Sequence, residues 1–203
     1  MKCFIAGFTL VVLFAGTQYA NGATIFTEDV TFEDGDTYWS AEIHEDAHAE
    51  VLGGLFENRL QLYDDATANL SGGIIQGGFA MEGNSKASIH SGTFINTYIF
   101  MLGSAELDIY GGRMPDAFLD ATYWSGNSLT TFHGYDLVLA SSGGSEGDGF
   151  VTGVFADNTS FMVNLRGEDT ASRVRLAPIP EPSPFIMSAF GVIALLSSWR
   201  RKR

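Results

Sequence analysis

Apolar and polar positions between residues 23 and 128 alternate in short stretches, and the stretches recur with a regular period. Ala49-Glu50-Val51-Leu52-Gly53-Gly54 is followed by Ala68-Asn69-Leu70-Ser71-Gly72-Gly73. Then come Ala87-Ser88-Ile89-His90-Ser91-Gly92 and Leu107-Asp108-Ile109-Tyr110-Gly111-Gly112, with Val30-Thr31-Phe32-Glu33-Asp34-Gly35 as an earlier, weaker copy. The glycines Gly35, Gly54, Gly73, Gly92, Gly112 and Gly134 follow one another at spacings of 19, 19, 19, 20 and 22. Ala47, Ala66, Ser85 and Ala105 keep the same register, and Phe56, Ile75, Phe94 and Met114 form another column. A further apolar pair, Ala41 with Ile43, recurs in steps of 19 as Leu60 with Leu62, Phe79 with Met81 and Tyr98 with Phe100. Phe118 continues the first of these two columns and Asp120 breaks the second.

Alternation with a period of two predicts strands with one buried face, and glycine turns separate them. A unit of about 19–20 residues is too small to bury its own apolar face, and stacking units on one another buries it. The columns then become ladders down the interior. The fold expected is all-β: a single-stranded parallel β-helix with about 19–20 residues per coil over residues 23–128. An antiparallel sandwich also brings strands at short intervals, but it does not require one register to persist through consecutive units. The hexapeptide rhythm of left-handed coils is absent, which favours a right-handed coil, and the Gly-rich calcium nonapeptide is absent too. After Asp120 the repeat fades. Residues 141–149 read as a polar loop, and strands are expected within 150–158, 161–165 and 173–176. A solenoid end exposes unpaired backbone, so residues 129–177 are assigned to an irregular β cap.

The two ends of the chain have a different character. Met1-Lys2 is a short positive start, Phe4–Ala15 is a brief apolar stretch, and Ala20, Gly22 and Ala23 are small. This predicts a signal peptide over residues 1–22, because the stretch is too short to span a bilayer. At the other end, in residues 178–203, the prolines of Ile179-Pro180-Glu181-Pro182-Ser183-Pro184 hold an extended segment open. Phe185–Trp199 is an apolar run that measures about 22 Å as a helix, against a hydrocarbon core of about 30 Å. Arg200, Arg201, Lys202 and Arg203 form a basic stop that stays on the cytoplasmic side. A C-terminal hydrophobic helix that enters the membrane transiently is therefore expected over 185–199.

The order of proline motif, apolar run and basic end resembles the PEP-CTERM sorting signal of bacterial exported proteins, with Pro180, Glu181 and Pro182 matching the motif. The resemblance covers only this terminal segment. It implies processing by an exosortase, a membrane-embedded transpeptidase-like enzyme acting near the Pro-Glu-Pro, and a destination in the cell envelope or an extracellular polysaccharide matrix. A simple, unprocessed membrane anchor is the alternative. The Gly-Gly-x units separated by Asx- and Ser-rich turns are also similar in composition to the repeat bodies of such proteins.

Charge narrows the partners. The chain has 24 acidic and 11 basic residues. Glu181, Lys2 and the four basic tail residues lie in the end segments, so residues 23–177 carry 23 acids against six bases, a net charge of −17. The six are Arg59, Lys86, Arg113, Arg166, Arg173 and Arg175. Such a surface repels nucleic acid and anionic lipid. The single cysteine is Cys3, so the body has no disulfide, thiolate metal site or cysteine nucleophile, and a lipoprotein anchor is excluded.

Candidate chemistry on the coils is sparse. Asp46, Asp65, Asn84 and Ser104 stack at one turn position, flanked by Glu45 and Asp64, while Glu50, Asn69, Ser88 and Asp108 stack on one outward face. Carboxylates about 4.8 Å apart repel and would favour a cation or a raised pKa, but turn Asx residues equally serve the local backbone. His44 and His48 fall in strand and turn, His90 shares an outward column with Leu52, Ser71 and Tyr110, and His133 lies near the cap. Tyr63, Tyr110, Tyr123 and Trp124 suit either sugar stacking or covering the edge of the core. No nucleophile elbow, P-loop or dinucleotide fingerprint is present, so no catalytic residue, metal ligand or cofactor is assigned. The expectation is an exported, non-enzymatic structural or interaction protein, with an exosortase and extracellular polysaccharide as its partners. Two alternatives keep the scaffold: a small carbohydrate-active lyase or hydrolase, which needs a groove with convergent carboxylates and a base, and a calcium-dependent carbohydrate-binding module.

Overall fold

A computed structural model of the chain describes residues 22–120, 126–141, 149–167 and 169–180. They form a β-solenoid of about six turns. The expected C-terminal helix and, apart from Gly22, the expected signal peptide lie outside the described residues, among which no helix is long and apolar enough to cross a membrane.

Each regular coil supplies one strand to each of two faces. On the first face β1 (Ala23–Phe26), β3 (Thr37–Ile43), β5 (Leu55–Leu62), β7 (Ile74–Met81), β9 (Thr93–Met101) and β11 (Ala117–Asp120) pair in parallel. On the second, β2 (Val30–Phe32), β4 (His48–Val51), β6 (Thr67–Leu70), β8 (Lys86–Ile89) and β10 (Glu106–Ile109) do the same. Strands on these faces are thus paired with the equivalent strand one coil away, and the inward residues stack into continuous rows. Phe32, Val51, Leu70, Ile89 and Ile109 are one fully buried row. The predicted rows Ala47–Ala66–Ser85–Ala105 and Phe56–Ile75–Phe94–Met114 are buried as well.

Two corners close each coil. At one, Gly35, Gly54, Gly73, Gly92 and Gly112 all have φ between 80° and 110°, a left-handed region that side chains disfavour. A Cβ on Gly73 would in addition stand 2.8 Å from the Gly53 carbonyl oxygen of the coil below. At the other corner Gly83 and Gly103 take the left-handed turn at φ 76° and 69°, and Glu45 and Asp64 hold it in the earlier coils at 62° and 57°.

Two sequence expectations are corrected. First, Tyr98 and Phe100 do not continue the inner columns. In β9 the residue pairs Ile75–Phe94 and Gly78–Tyr98 are in register, so β9 carries one residue more than β7 between them. The extra residue is accommodated at Asn96-Thr97 as a bulge. Asn96 sits at φ 48°, and Thr97 is fully buried with its hydroxyl donating to the Ile75 carbonyl at 3.0 Å. A slip of one residue exchanges the faces of a strand. Ile99 and Met101 therefore take the inner positions opposite Phe79 and Met81, and Tyr98 and Phe100 turn outward, with Phe118 in register with Tyr98. Second, Gly134 is not a corner glycine. It lies within the 13-residue β12 (Leu129–Ser141), paired with Pro178, and the chain runs straight where earlier coils turn.

That straight passage ends the regular coil. The first half of β12 pairs with β10 on the second face, and after a register shift between Tyr135 and Val138 its second half pairs antiparallel with β13 (Gly149–Val154) on the first. β13 pairs antiparallel with β14 (Ser160–Arg166), which returns to a parallel pairing with β11. A 3-10 turn, Thr170–Arg173, leads into β15 (Val174–Pro178), parallel to β12 at the edge of the second face. Phe132, Phe155 and Phe161 stack under these strands, with Phe161 5.5 Å from Phe132 and 4.1 Å from Phe155 between ring centroids. At the opposite end Phe26, Phe32, Tyr38 and Phe56 cluster in the first coils, with Phe32 edge-to-face against the other three.

Candidate functional site

The outward face of the second sheet carries the stacked polar side chains read from the sequence, and their partners are on adjacent coils. Glu50, Asn69, Ser88 and Asp108 are in register. Asn69 donates to Glu50 at 3.2 Å, and His48 contacts the Thr67 hydroxyl at 2.8 Å and Glu50 at 3.4 Å. The column of His90 and Tyr110 extends one coil further than the sequence suggested. His133 on β12 stacks on Tyr110 at 4.0 Å, and Tyr110 on His90 at 4.8 Å. Asp108 holds His133 Nε2 at 2.8 Å, so this imidazole is oriented by a carboxylate. Lys86 pairs with Glu106 at 2.9 Å on the same face.

At the turns, Asn84 donates to Asp65 at 3.0 Å, the Glu45 backbone N–H donates to Asp64, and the His48 N–H donates to Asp29 at 2.9 Å. The turn carboxylates thus serve neighbouring backbone and amides. Among the described residues no group of three or more His, Asp or Glu side chains is placed to share a metal ion. His44 stacks on Tyr63 at 4.4 Å, with Glu42 3.3 Å from its Nε2. Burial, with Glu42 and Glu82 adding to it, pushes the Tyr63 hydroxyl above its ordinary pKa against the opposing effects of Arg59 and the Gln61 hydrogen bond. Burial, with Asp36, does the same at Tyr38. Tyr63 and Tyr110 are therefore ring-on-ring partners of histidines, while Tyr123 and Trp124 lie outside the described residues.

The outward face of the first sheet holds a set that the sequence reading placed inside. Tyr98 stacks against Phe118 at 5.2 Å and lies beside Phe100 at 5.8 Å. Arg166, from β14, stands 4.2 Å over the Phe118 ring and donates to the Tyr98 hydroxyl at 3.3 Å. The outward residues beneath them, Gly78 and Ala80, are small and buried. A shallow depression of about 310 Å³ lies at the glycine corner, lined by Asp34, Asp36, Thr37, Leu55 and Ile74.

Of the residues expected from the sequence to form a sorting signal, Pro180 is described and exposed, just past the Ile179 N–H that donates to the Gly134 carbonyl at 2.9 Å. Glu181, Pro182, Arg200, Arg201, Lys202 and Arg203 lie outside the described residues. The protein belongs by its architecture to the β-solenoids. Comparison with known proteins finds no matching family model, no matching characterised protein and no matching solved structure.

Proposed function

We propose that this chain is an exported, non-enzymatic surface or matrix protein. Its acidic β-solenoid is the delivered cargo, and its C-terminal segment, which resembles a PEP-CTERM signal, is read and cut by an exosortase. The observation that carries the reading is the junction between body and tail. Among the described residues the last backbone bond of the sheet region is made at Ile179, and the next residue, Pro180, is exposed. The motif Pro180-Glu181-Pro182 thus begins two residues past β15, at an exposed proline, which suits a segment presented to a processing enzyme. The body's side chains support a stiff, solvated rod: outward carboxylates bond to the coil above or below, and the net charge of −17 over residues 23–177 keeps it soluble. We take the coil as right-handed, the hand that parallel strand crossovers almost always adopt.

A chain ending at Pro178 tests the role of the tail. Expressed in the native cell, it should appear in the medium while the full chain is retained at the surface; equal retention of both would contradict the reading. The Asp108–His133 pair is the arrangement that favours the alternative, a carbohydrate-active enzyme, since an imidazole held by a carboxylate can exchange protons with a substrate. Turnover of a polysaccharide that is abolished by His133→Gln would establish that alternative.

A further inference from the structure

Arginine side chains and aromatic rings line one row along the outward face of the first sheet. Arg59, Gly78, Tyr98 and Phe118 occupy equivalent positions on β5, β7, β9 and β11. A Cβ on Gly78 would stand 3.3 Å from Arg59 Cγ and Nε, so the Arg59 side chain lies against the glycine. Beyond Tyr98 and Phe118 the row is closed by the Arg166 guanidinium, 4.2 Å over the Phe118 ring. From β5 to β14 it crosses four strand spacings of about 4.8 Å, or about 19 Å in all.

Three features single this row out. The bulge at Thr97 is what turns Tyr98 and Phe100 outward, and bulges commonly re-aim side chains where a surface is used. Two of the six bases in residues 23–177 lie in this row, against 23 acids over the same segment. Neither guanidinium takes part in the ion pairs among the described residues. Because the strands here are paired on both sides, an extended peptide finds no free backbone edge to join. A ligand must be recognised through side chains alone, by something linear that offers apolar patches and anionic groups in turn.

We propose that this row binds an acidic polysaccharide. The apolar faces of its sugars pack against the outward edges of the stacked Tyr98, Phe100 and Phe118 rings. Its carboxylates are taken by the planar forks of Arg59 and Arg166, which match that geometry bidentately. The net charge of −17 over residues 23–177 opposes such a polyanion and sets a limit on its affinity, so the contact depends on the local arginines. The proposal deepens the reading of the body as a matrix protein and rests on it only for the setting.

The test is calorimetric titration of the purified full-length chain with an oligouronate and with a neutral glucan oligosaccharide of the same length, at low and high salt. The oligouronate should bind, and the neutral oligomer should bind at least about tenfold more weakly. Arg59→Gln and Arg166→Gln should each cost about tenfold, Arg166→Lys should fall between, and high salt should weaken binding. Unchanged far-ultraviolet circular dichroism of each variant shows that the coil is intact. Equal binding of the two oligomers would overturn the proposal, as would oligouronate binding that survives both arginine substitutions or the absence of binding by the folded wild type. Failure here leaves the role of the tail standing, since that is read from where the truncated chain goes.

Discussion

Replacing Ser85 by alanine should stabilise this protein. Ser85 belongs to the inner row in which its neighbours one coil away are Ala66 and Ala105, and all three are fully buried. Its hydroxyl has no hydrogen-bond partner among the described residues. A methyl group is already accommodated above and below, so alanine fits without strain. Removing a buried, unsatisfied hydroxyl recovers about 1–3 kcal/mol of desolvation. Against this stands the void left by one oxygen, which costs about 0.5 kcal/mol. The net expectation is about 1 kcal/mol of added stability, or a rise in Tm of about 2–4 °C for a chain of this size. Urea unfolding followed by circular dichroism, with the slope unchanged, is the assay. A loss of stability in Ser85→Ala would show that the hydroxyl has a partner and that the alanine row is not the packing unit described.

Other consequences follow from the same packing. Thr130→Val should stabilise in the same sense, because Thr130 is 1 % exposed and its hydroxyl also lacks a partner among the described residues; a lower urea midpoint would count against this. Gly73→Ala should destabilise by about 2 kcal/mol or more, combining the left-handed penalty with the 2.8 Å approach to the Gly53 oxygen, and a neutral result would contradict the inter-coil contact. A double-mutant cycle on Asp108→Asn and His133→Gln should give a coupling of about 0.5–1 kcal/mol from their 2.8 Å contact, measured by chemical denaturation. The raised Tyr38 and Tyr63 pKa values mean that the folded state holds these protons more tightly than the unfolded chain. Their contribution is fully present below the unfolded value of about 10 and is lost as pH rises through the folded values. Alkaline titration should therefore show stability falling above that pH, and a fall of the same size in the Tyr38→Phe, Tyr63→Phe double variant would assign it elsewhere.

Much of the coil was legible because glycine corners and small inner residues leave little freedom. The Ala47–Ala66–Ser85–Ala105 row is narrow, so only small side chains fit, and their spacing reports the coil length directly. The Thr97 bulge was harder to see for a physical reason. Tyr98 and Phe100 are as apolar as Ile99 and Met101, so alternation alone allows either pair to face inward. The spacing held the clue: Ile75 and Phe94 are one regular repeat apart, whereas Ser85 and Ala105 are separated by one position more. That difference places an insertion between Phe94 and Ala105. Missing it hid the outward Tyr98–Phe118–Arg166 set, since Arg166 comes from the cap and no repeat connects it to the coils. Gly134 misled because a glycine in a strand against a close backbone looks, in sequence, like a corner; a Cβ there would stand 2.4 Å from the Val154 oxygen. The proposed sorting motif is the reverse case. It is read from residue order and chemistry alone, and of its three residues only Pro180 is described.

Whether the tail is a sorting signal is decided by the intact mass of the mature protein recovered from the surface of its native cell. That protein should lack residues 1–22 and the segment Phe185–Arg203, with its new C-terminus near Pro180-Glu181-Pro182. A surface form that still ends at Arg203 would contradict it.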